Sequence, residues 1–343
     1  MLNRKWKIRT ISFIFLVAAG FVLYKVGRSL VVVPKIIHKN KSVKTSEKNE
    51  FSNVMYSSFD KDSNKITLKS SKIQEKSKDS FDFSKLSITF KSSPQETVTV
   101  LADQTHFISQ KFKQAEMKGN IKLSTENGLL LETEASFIDI DRKIAKGDTD
   151  ILITQNDTKF SAKKYHFDMN KKIITLIKNV KGNLSSDQIT TDKLIIEFEK
   201  EIGKDFKNVH AFGNSFYKTD QYDLKSSKEM IYKKEFAEAN GNVDLDFVKN
   251  GKNYHVNADK IVVNFQKNLI KKVSAHNNLI INVDNSTLIK GNDGILENDL
   301  LTVSKNVTIT NEKGNILCEK AILNIKTSDI RVYNSKGIIK KRK

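Results

Sequence analysis

The chain repeats itself about every 31 residues from residue 51 onward, and this repeat constrains the fold more than any other feature. Each copy opens with a small residue, continues with polar residues, and then places apolar residues mostly three, five and seven positions further on. The clearest copies begin at Ala102, Thr133, Ala162, Thr191, Ala258 and Cys318, and weaker ones begin at Ser70, Ser226 and Gly291. A unit this short cannot bury an apolar face alone, so the copies must stack on one another.

Within a unit, apolar and polar residues alternate with a period of two. Val243, Leu245 and Phe247, for example, are separated by aspartates. This alternation is typical of a β-strand with one buried face, and no stretch beyond residue 50 keeps a helical period. The pattern predicts a mainly β chain in which each unit supplies about three short antiparallel strands. Stacked units predict an elongated two-sheet structure around a long apolar trough, with open strand edges at both ends.

A second marker lies between successive copies and consists of two residues that tolerate a positive φ angle. These pairs predict turns or β-bulges. They are clearest as Gly119-Asn120, Gly182-Asn183, Gly213-Asn214 and Gly241-Asn242, with Asn277-Asn278 and Lys305-Asn306 as degenerate versions.

The N-terminal segment has the pattern of a membrane anchor. Four basic residues within 1–10 precede the mostly apolar stretch 11–33, which is long enough to span a hydrocarbon core of about 30 Å. By the positive-inside rule, residues 1–10 are cytoplasmic, residues 11–33 form a single transmembrane helix, and residues 34–50 form a polar linker. A signal peptide cleaved after residues 17–19 is the alternative, although its apolar region would be short.

The formal net charge of +19 is concentrated at the two ends of the chain. Residues 1–48 hold eleven Lys or Arg against one acid, and residues 336–343 hold five Lys or Arg and no acid. The long middle part is nearly balanced, so it lacks the continuous basic surface that nucleic-acid binding requires. The charge distribution therefore argues against nucleic acid as a partner.

No arrangement of residues indicates catalysis or metal binding. The six histidines are scattered without metal-ligand spacing, and the pairs Asp139/Asp141 and Asp244/Asp246 fall on the polar sides of strands, where solvated faces are expected. Cys318 takes the small-residue position of a repeat, which predicts a small buried residue rather than a nucleophile. The chain also lacks a glycine-rich phosphate-binding loop. We therefore expect no catalytic residue, no metal, no cofactor and no enzymatic activity.

Three segments carry a resemblance to known export proteins: Asp60-Lys-Asp-Ser-Asn-Lys-Ile-Thr-Leu-Lys-Ser, Met117-Lys-Gly-Asn-Ile-Lys-Leu-Ser and Ala239-Asn-Gly-Asn-Val-Asp-Leu. With the anchor and the linker, they resemble the LptC and LptA/OstA families of Gram-negative lipopolysaccharide export. The resemblance implies a twisted OstA-like β-jelly roll, open along one side, whose apolar interior carries lipid A acyl chains. It implies four kinds of partner: lipopolysaccharide, the inner-membrane ABC transporter, and, by edge-strand addition, an LptA-like periplasmic bridge or the outer-membrane translocon.

The resemblance also divides the chain. Residues 51–190 resemble an LptC jelly roll, and residues 191–343 look like a second OstA/LptA-like module that ends in a basic tail. The chain is much longer than a usual LptC, so either a bridge protein is fused in part to its anchor or the second module is an extra spacer. The expected location is the inner membrane, crossed once, with the C-terminal bulk in the periplasm.

Inward-facing apolar residues are core residues by default, and under the resemblance some of them line the lipid. The alternative function is a membrane-anchored structural β-solenoid, a spacer or adhesin, with a fully packed interior and no lipid-carrying role. The predicted lining residues are Ile138, Ile140, Tyr165, Phe167, Met169, Leu194, Ile196, Phe198, Ile261, Val263, Phe265, Leu323 and Ile325.

Overall fold

The structure, a computed structural model, describes residues 50–59, 64–77, 80–93, 96–108, 112–184, 187–199, 201–203, 206–233, 235–266, 269–284, 286–312 and 314–339. The expected cytoplasmic residues 1–10, transmembrane segment 11–33 and nearly all of the linker 34–50 lie outside the described residues, as do the last four residues of the basic tail. Within the described ranges, no helix is long and apolar enough to cross a membrane.

All regular structure in the described part of the chain is β-strand, which confirms the mainly β prediction. The strands are β1 Glu50–Phe59, β2 Lys65–Ser77, β3 Ser80–Ser93, β4 Glu96–Phe107, β5 Gln114–Thr125, β6 Leu130–Asp139, β7 Ile144–Gly147, β8 Ile151–Gln155, β9 Thr158–Ala162, β10 Lys164–Asp168, β11 Ile173–Leu184, β12 Asp187–Phe198, β13 Phe206–Phe212, β14 Ser215–Lys218, β15 Tyr222–Ser226, β16 Glu229–Lys233, β17 Phe236–Lys249, β18 Lys252–Gln266, β19 Leu269–Val283, β20 Thr287–Glu297, β21 Leu300–Asn311, β22 Gly314–Asn324, β23 Ile330–Tyr333 and β24 Lys336–Ile339.

The strands form one continuous antiparallel meander. In five places, two short strands lie end to end against a long neighbour, namely β7/β8, β9/β10, β13/β14, β15/β16 and β23/β24. Counting each such pair as one row, the 24 strands form 19 rows, and each row pairs with the next row along the chain. At about 4.8 Å per row the ladder extends about 85 Å.

Bulges interrupt alternate rows near their midpoints, and the second sequence marker forms four of them, at Gly119-Asn120, Gly241-Asn242, Asn277-Asn278 and Lys305-Asn306. Gly119 and Asn120 have φ angles of 74° and 45°, and together they oppose the single residue Glu134 on β6. Gly241 and Asn242 oppose the single Asp259 in the same way. The extra residue bends the row without ending it. Each 31-residue unit therefore contains two long bent rows, and the prediction of three short strands per unit is wrong.

The marker prediction is also wrong at Gly182-Asn183. The bulge of β11 lies four residues earlier, at Lys178 and Asn179, whose φ angles are 65° and 53°. Gly182 instead faces the interior in regular pairing, and a Cβ there would lie 2.5 Å from Cδ1 of Phe160 and 2.6 Å from Cγ2 of Ile189. Position 182 requires glycine because Phe160 and Ile189 leave no space for a side chain. The sequence alone cannot distinguish a glycine required by close packing from one required by a positive φ angle.

The rows without a bulge carry, at their midpoint, the small residue that opens each repeat. This residue lies beside the bulge of the next row along the chain. Where this residue carries a hydroxyl, it donates to a carbonyl of that row: Thr191 Oγ1 to Phe212 O at 2.8 Å, and Ser226 Oγ to Asn240 O at 2.6 Å. Both side chains are buried, so the bond satisfies a carbonyl near the interrupted ladder. Cys318 occupies the same position and is buried, as predicted.

Bending at the midpoints places the two halves of every row in two facing sheets. Val256, from the first half of β18, and Val273, from β19, line one internal space although they belong to different halves. A single apolar cluster fills the interior from β2 to β22. Residues 190 and 191, where the sequence divides the two modules, lie within β12, and the ladder continues on both sides of it.

Candidate functional site: the apolar interior and its seam

The space between the two sheets is where the sequence predicts a lipid groove. All thirteen predicted lining residues face this space and belong to or pack against one core cluster. Twelve of them are buried, including Phe167, which is fully buried, and Phe265 is partly buried. Alternation along the strands is therefore a reliable guide to the inward face.

Side chains fill this interior closely. Two of the cavities in this interior are apolar and small, with volumes of about 20 and 10 Å³, space for about one water molecule each. Of the predicted lining residues, Ile325 borders the larger cavity and none borders the smaller one. The larger cavity is lined by Phe247, Tyr254, Val256, Val273, Ala275, Leu279, Ile281, Gly294, Leu296, Leu301 and Ile325, and the smaller by Leu184, Ile189, Val209, Tyr217, Met230, Tyr232 and Ala237.

The side of the molecule opposite the bulges, which we call the seam, is where the hairpin turns of the two sheets meet. The described pairings join only rows adjacent in the chain, so no backbone ladder in this part of the protein crosses the seam. Side chains close it instead. The seam contacts involve residues of the segments 112–113, 126–129, 201–203, 249–252, 298–299 and 325–328, together with a cluster of aromatic residues at Tyr217, Tyr222, Tyr232 and Phe265.

At the N-terminal end, Phe112 closes the seam. Its ring lies 5.7 Å from Tyr56 in one sheet and 5.3 Å from Phe107 in the other, both edge-to-face. Phe81 and Phe83 complete the cluster at 5.5 Å each. Edge-to-face aromatic contacts of this kind add to the stabilisation gained by burial. Phe112 therefore joins the ends of the two sheets.

A second closure comes from the turn after β12. Asn127 Nδ2 donates to Ile202 O at 3.3 Å and to Glu201 Oε2 at 3.2 Å, and the side-chain amide of Gln155 donates to Gly203 O. Ile202 is buried. These contacts link residues about 50 to 75 positions apart, so the beginning of the second proposed module covers the seam of the first.

A third closure is a cluster of tyrosines around Asp187. Tyr217 donates to Asp187 Oδ2 at 2.6 Å, and Tyr222 packs against it. Across the seam, the Phe265 ring stacks on Tyr222 at 5.9 Å, and Tyr232 lies 5.6 Å from Tyr217. Burial raises the pKa of Tyr217 and of Tyr222 well above the usual range, and Asp187 raises both further. These phenols stay protonated and available as hydrogen-bond donors.

The outer faces carry cross-strand contacts between histidine or lysine side chains and carboxylates. His106 Nδ1 lies 2.7 Å from Asp82, and His276 Nδ1 lies 3.1 Å from Asp293, so these histidines are surface strand residues as predicted. No group of metal-ligating residues occurs within the described ranges.

Asp139 departs from its prediction of a solvated face. It is buried and accepts the backbone N–H of Arg142 at 2.9 Å and the side-chain amide of Gln114 at 2.9 Å. The carboxylate caps the turn between β6 and β7, and a position next to a turn does not follow the inside–outside alternation of the strand.

The sequence profile of a family described as lipopolysaccharide-assembly, LptC-related, matches residues 13–185, half of the chain. The chain belongs to this family. The match starts within the apolar segment 11–33 and ends between β11 and β12. Members of the LptC family act in lipopolysaccharide transport, are in general anchored in the inner membrane, and are not enzymes. Both the family and the β-rich fold agree with the predicted jelly roll. No match to a curated protein accompanies this finding.

Apart from Phe265, which was predicted as a lining residue, the residues that close the seam were not predicted from the sequence. The alternation places Tyr217 and Tyr222 on the inward face, which is a usable signal. Their meeting with Tyr232 and Phe265 depends on how far each row bends, and no local pattern encodes that.

Proposed function

We propose that this LptC-family chain is an inner-membrane-anchored component of the lipopolysaccharide export machinery. Residues 11–33 hold it in the membrane, the first rows of the jelly roll receive lipopolysaccharide from the ABC transporter, and the interior passes the acyl chains along towards the outer membrane. The proposal rests on the family match, which covers the segment 11–33 almost completely and the first nine rows. The continuous apolar interior supports extending the path into the second module.

The physical requirement is cover for the acyl chains, because each CH₂ exposed to water costs about 0.8 kcal/mol. Side chains fill the interior, so acyl chains must displace them and separate the two sheets. The seam is where separation is easiest, since it breaks side-chain contacts and no backbone ladder.

The partners are proposed from the two end rows. Among the described residues, β1 pairs only with β2, and β23 and β24 pair only with β22, so each end row leaves one edge unpaired. Strand addition at β1 would join the transporter, and strand addition at the last row would join an LptA-like bridge or the outer-membrane translocon.

The test is site-specific photo-crosslinking in cells of the host. A photoreactive residue at Phe167, inside the groove, is expected to capture lipopolysaccharide, and the same residue at the outward neighbour His166 is the matched control. A photoreactive residue at Phe265 asks whether lipid also reaches the second module. Capture at neither inward position would overturn the proposal.

The alternative is a packed structural spacer or adhesin, and the small size of the two cavities favours it. Depletion of the protein separates the two functions. Lipopolysaccharide held back at the inner membrane is the outcome expected of an export component, and unchanged delivery to the outer membrane supports the spacer.

A further inference from the structure

Four neighbouring strands at the N-terminal end, β1 to β4, share one outer face that carries no acid. Their pairing aligns the outward side chains of this face in three lines of four residues. Of these twelve described positions, three are large apolar residues, three are lysines and six are Ser or Thr. We call them the N-terminal outer face. The lines are Phe59, Lys65, Lys91 and Thr97; Ser57, Thr67, Thr89 and Thr99; and Met55, Lys69, Ser87 and Leu101.

Two strongly exposed apolar side chains project from β1 within the N-terminal outer face. Phe59 is 68% exposed and Met55 is 61% exposed. They lie four residues apart on the same side of the strand, a separation of about 13 Å. Each has a lysine directly opposite on β2, Lys65 beside Phe59 and Lys69 beside Met55. Apolar anchors flanked by lysines are typical of surfaces that bind at a membrane interface.

The lysines of this face lack acidic partners. Lys65 on β2 lies directly opposite Lys91 on β3, and like charges in this arrangement destabilise a sheet. Neither of these lysines, nor Lys69, forms an ion pair with a carboxylate among the described residues. An anion from outside the chain that binds between Lys65 and Lys91 would remove their repulsion. The face is therefore suited to an anionic surface.

The opposite outer face of the same rows is balanced in charge. Asp82 there lies 3.2 Å from Lys76 Nζ and 2.7 Å from His106 Nδ1, and Glu50 lies 2.9 Å from Lys72 Nζ. Carboxylates thus neutralise the cations on that side. The unpaired positive charge belongs to one face, and not to this end of the molecule as a whole, so an anionic surface would attract that face in particular.

The place of this face in the chain indicates what covers it. Sixteen residues, 34–49, separate the proposed anchor at 11–33 from the start of β1. Even when fully extended they reach at most about 60 Å, so the first rows stay close to the membrane that holds the anchor. A tether of this length makes membrane binding intramolecular, and a weak attraction is then sufficient.

We propose that the N-terminal outer face docks on the anionic phospholipid surface of the membrane that holds the anchor. Phe59 and Met55 insert at the level of the head groups, and the three lysines bind lipid phosphates. The Ser and Thr hydroxyls between them donate hydrogen bonds to lipid oxygens. Docking fixes which side of the jelly roll faces the membrane. It rests on the proposed function only for the anchor, and not for the transfer of lipopolysaccharide.

The experiment uses the full-length chain in nanodiscs, with Cys318→Ala so that one introduced cysteine carries the fluorophore nitrobenzoxadiazole. Ser57→Cys places the fluorophore in the middle of the N-terminal outer face, and Gln104→Cys, on the opposite outer face of β4, is the matched control. The quencher is phosphatidylcholine with a nitroxide on its head group. In discs that also contain phosphatidylglycerol, we expect quenching at position 57 to be about threefold that at position 104. In discs of phosphatidylcholine alone, the difference should be small.

Removal of the lysine charges should release the face from the membrane. Each lysine near an anionic surface strengthens partitioning about fivefold, so Lys65→Gln, Lys69→Gln and Lys91→Gln together should weaken docking about a hundredfold. Quenching at position 57 should then fall to the level at position 104, with an unchanged circular dichroism spectrum. The matched control removes the same charge from exposed lysines of later rows: Lys118→Gln, Lys159→Gln and Lys181→Gln.

Three results would overturn the docking proposal. The first is equal quenching at positions 57 and 104, and the second is quenching at position 57 that the triple lysine variant leaves unchanged. The third is shielding of position 57 only after the transporter is added, which would identify a protein partner instead. A chain that does not insert into nanodiscs would overturn both the anchor and the docking. Lipopolysaccharide capture at Phe167 would survive a docking failure of the inserted chain, so the two proposals fail separately.

Discussion

The side-chain amide of Asn120 donates a hydrogen bond of 2.6 Å from Nδ2 to Oδ2 of Asp103 on the preceding row. Asn278 makes the same bond to Asp259 at 2.9 Å. In both pairs the acid follows the small residue that opens a repeat, and the asparagine is the second residue of a bulge. The two sequence markers are thus the two halves of one contact, which fixes the point at which neighbouring rows bend.

Loss of this contact should destabilise the rows around it. We expect Asp103→Ala to lower the free energy of unfolding by about 0.5–1 kcal/mol, because the lost bond is solvent-exposed. Asp103→Asn keeps an acceptor oxygen and should cost less. The measurement is thermal unfolding of the full chain, followed by circular dichroism. In a double-mutant cycle with Asn120→Gly, which tolerates the positive φ, the two effects should be clearly less than additive. Strict additivity would mean that the bond is not formed.

The second prediction concerns Gly182, the interior glycine of β11. Gly182→Ala is expected to cost about 1–3 kcal/mol, because the new methyl group would overlap Phe160 and Ile189. Gly128→Asn is the matched control, since nothing lies within 4 Å of a Cβ at Gly128 and asparagine tolerates its φ of +80°. If Gly182 were instead a flexible turn residue, the two variants would have similar thermal midpoints.

Acid should weaken the outer-face ion pairs in a definite pH window. Hydrogen bonds from Lys305 and then His276 lower the pKa of Asp293 below its ordinary 3.8. A lowered carboxylate pKa stabilises the fold fully above the ordinary value, and this stabilisation is lost as the pH falls through the lowered value. We therefore expect Asp293→Asn to lose up to about 1 kcal/mol at pH 6 and almost nothing near pH 2. A pH-independent loss, measured by urea unfolding, would contradict this origin.

High pH should lower the stability of the fold, because it ionises buried tyrosines. Burial raises the pKa of Tyr165 to about 12, and its hydroxyl hydrogen-bonds to Ser136 Oγ at 2.6 Å. A raised pKa gives stability that is complete below the ordinary value of 10 and is lost as the pH rises through the folded-state value. Tyr165→Phe should therefore cost about 1 kcal/mol at neutral pH and make stability less sensitive to pH between 10 and 12. An unchanged slope in that range would contradict the prediction.

Local patterns were enough for the parts of the fold that depend on residues close together in the chain. The alternation at Val243, Leu245 and Phe247 gives the inward face correctly, and all thirteen predicted lining residues face the interior. The predicted number of three strands per unit was wrong because a pair such as Gly241-Asn242 is compatible with both a turn and a bulge. Only the pairing of Asn240 with Lys260 and of Val243 with Ala258 shows that the row continues through the bulge.

The sequence by itself therefore determined the β class, the stacking repeat, the inward residues and the family. The sequence also predicted two sheets, but the tertiary structure alone decided that each row bends so that its halves lie in different sheets. It alone decided that Asp139 is buried at a turn, and that Phe112, Ile202 and the tyrosine cluster close the seam. The reason is that the alternation of apolar and polar residues involves only residues that are close together in the chain. Contacts such as Asn127 with Ile202, or Lys249 with Asp299, form only after many successive bends bring distant turns together.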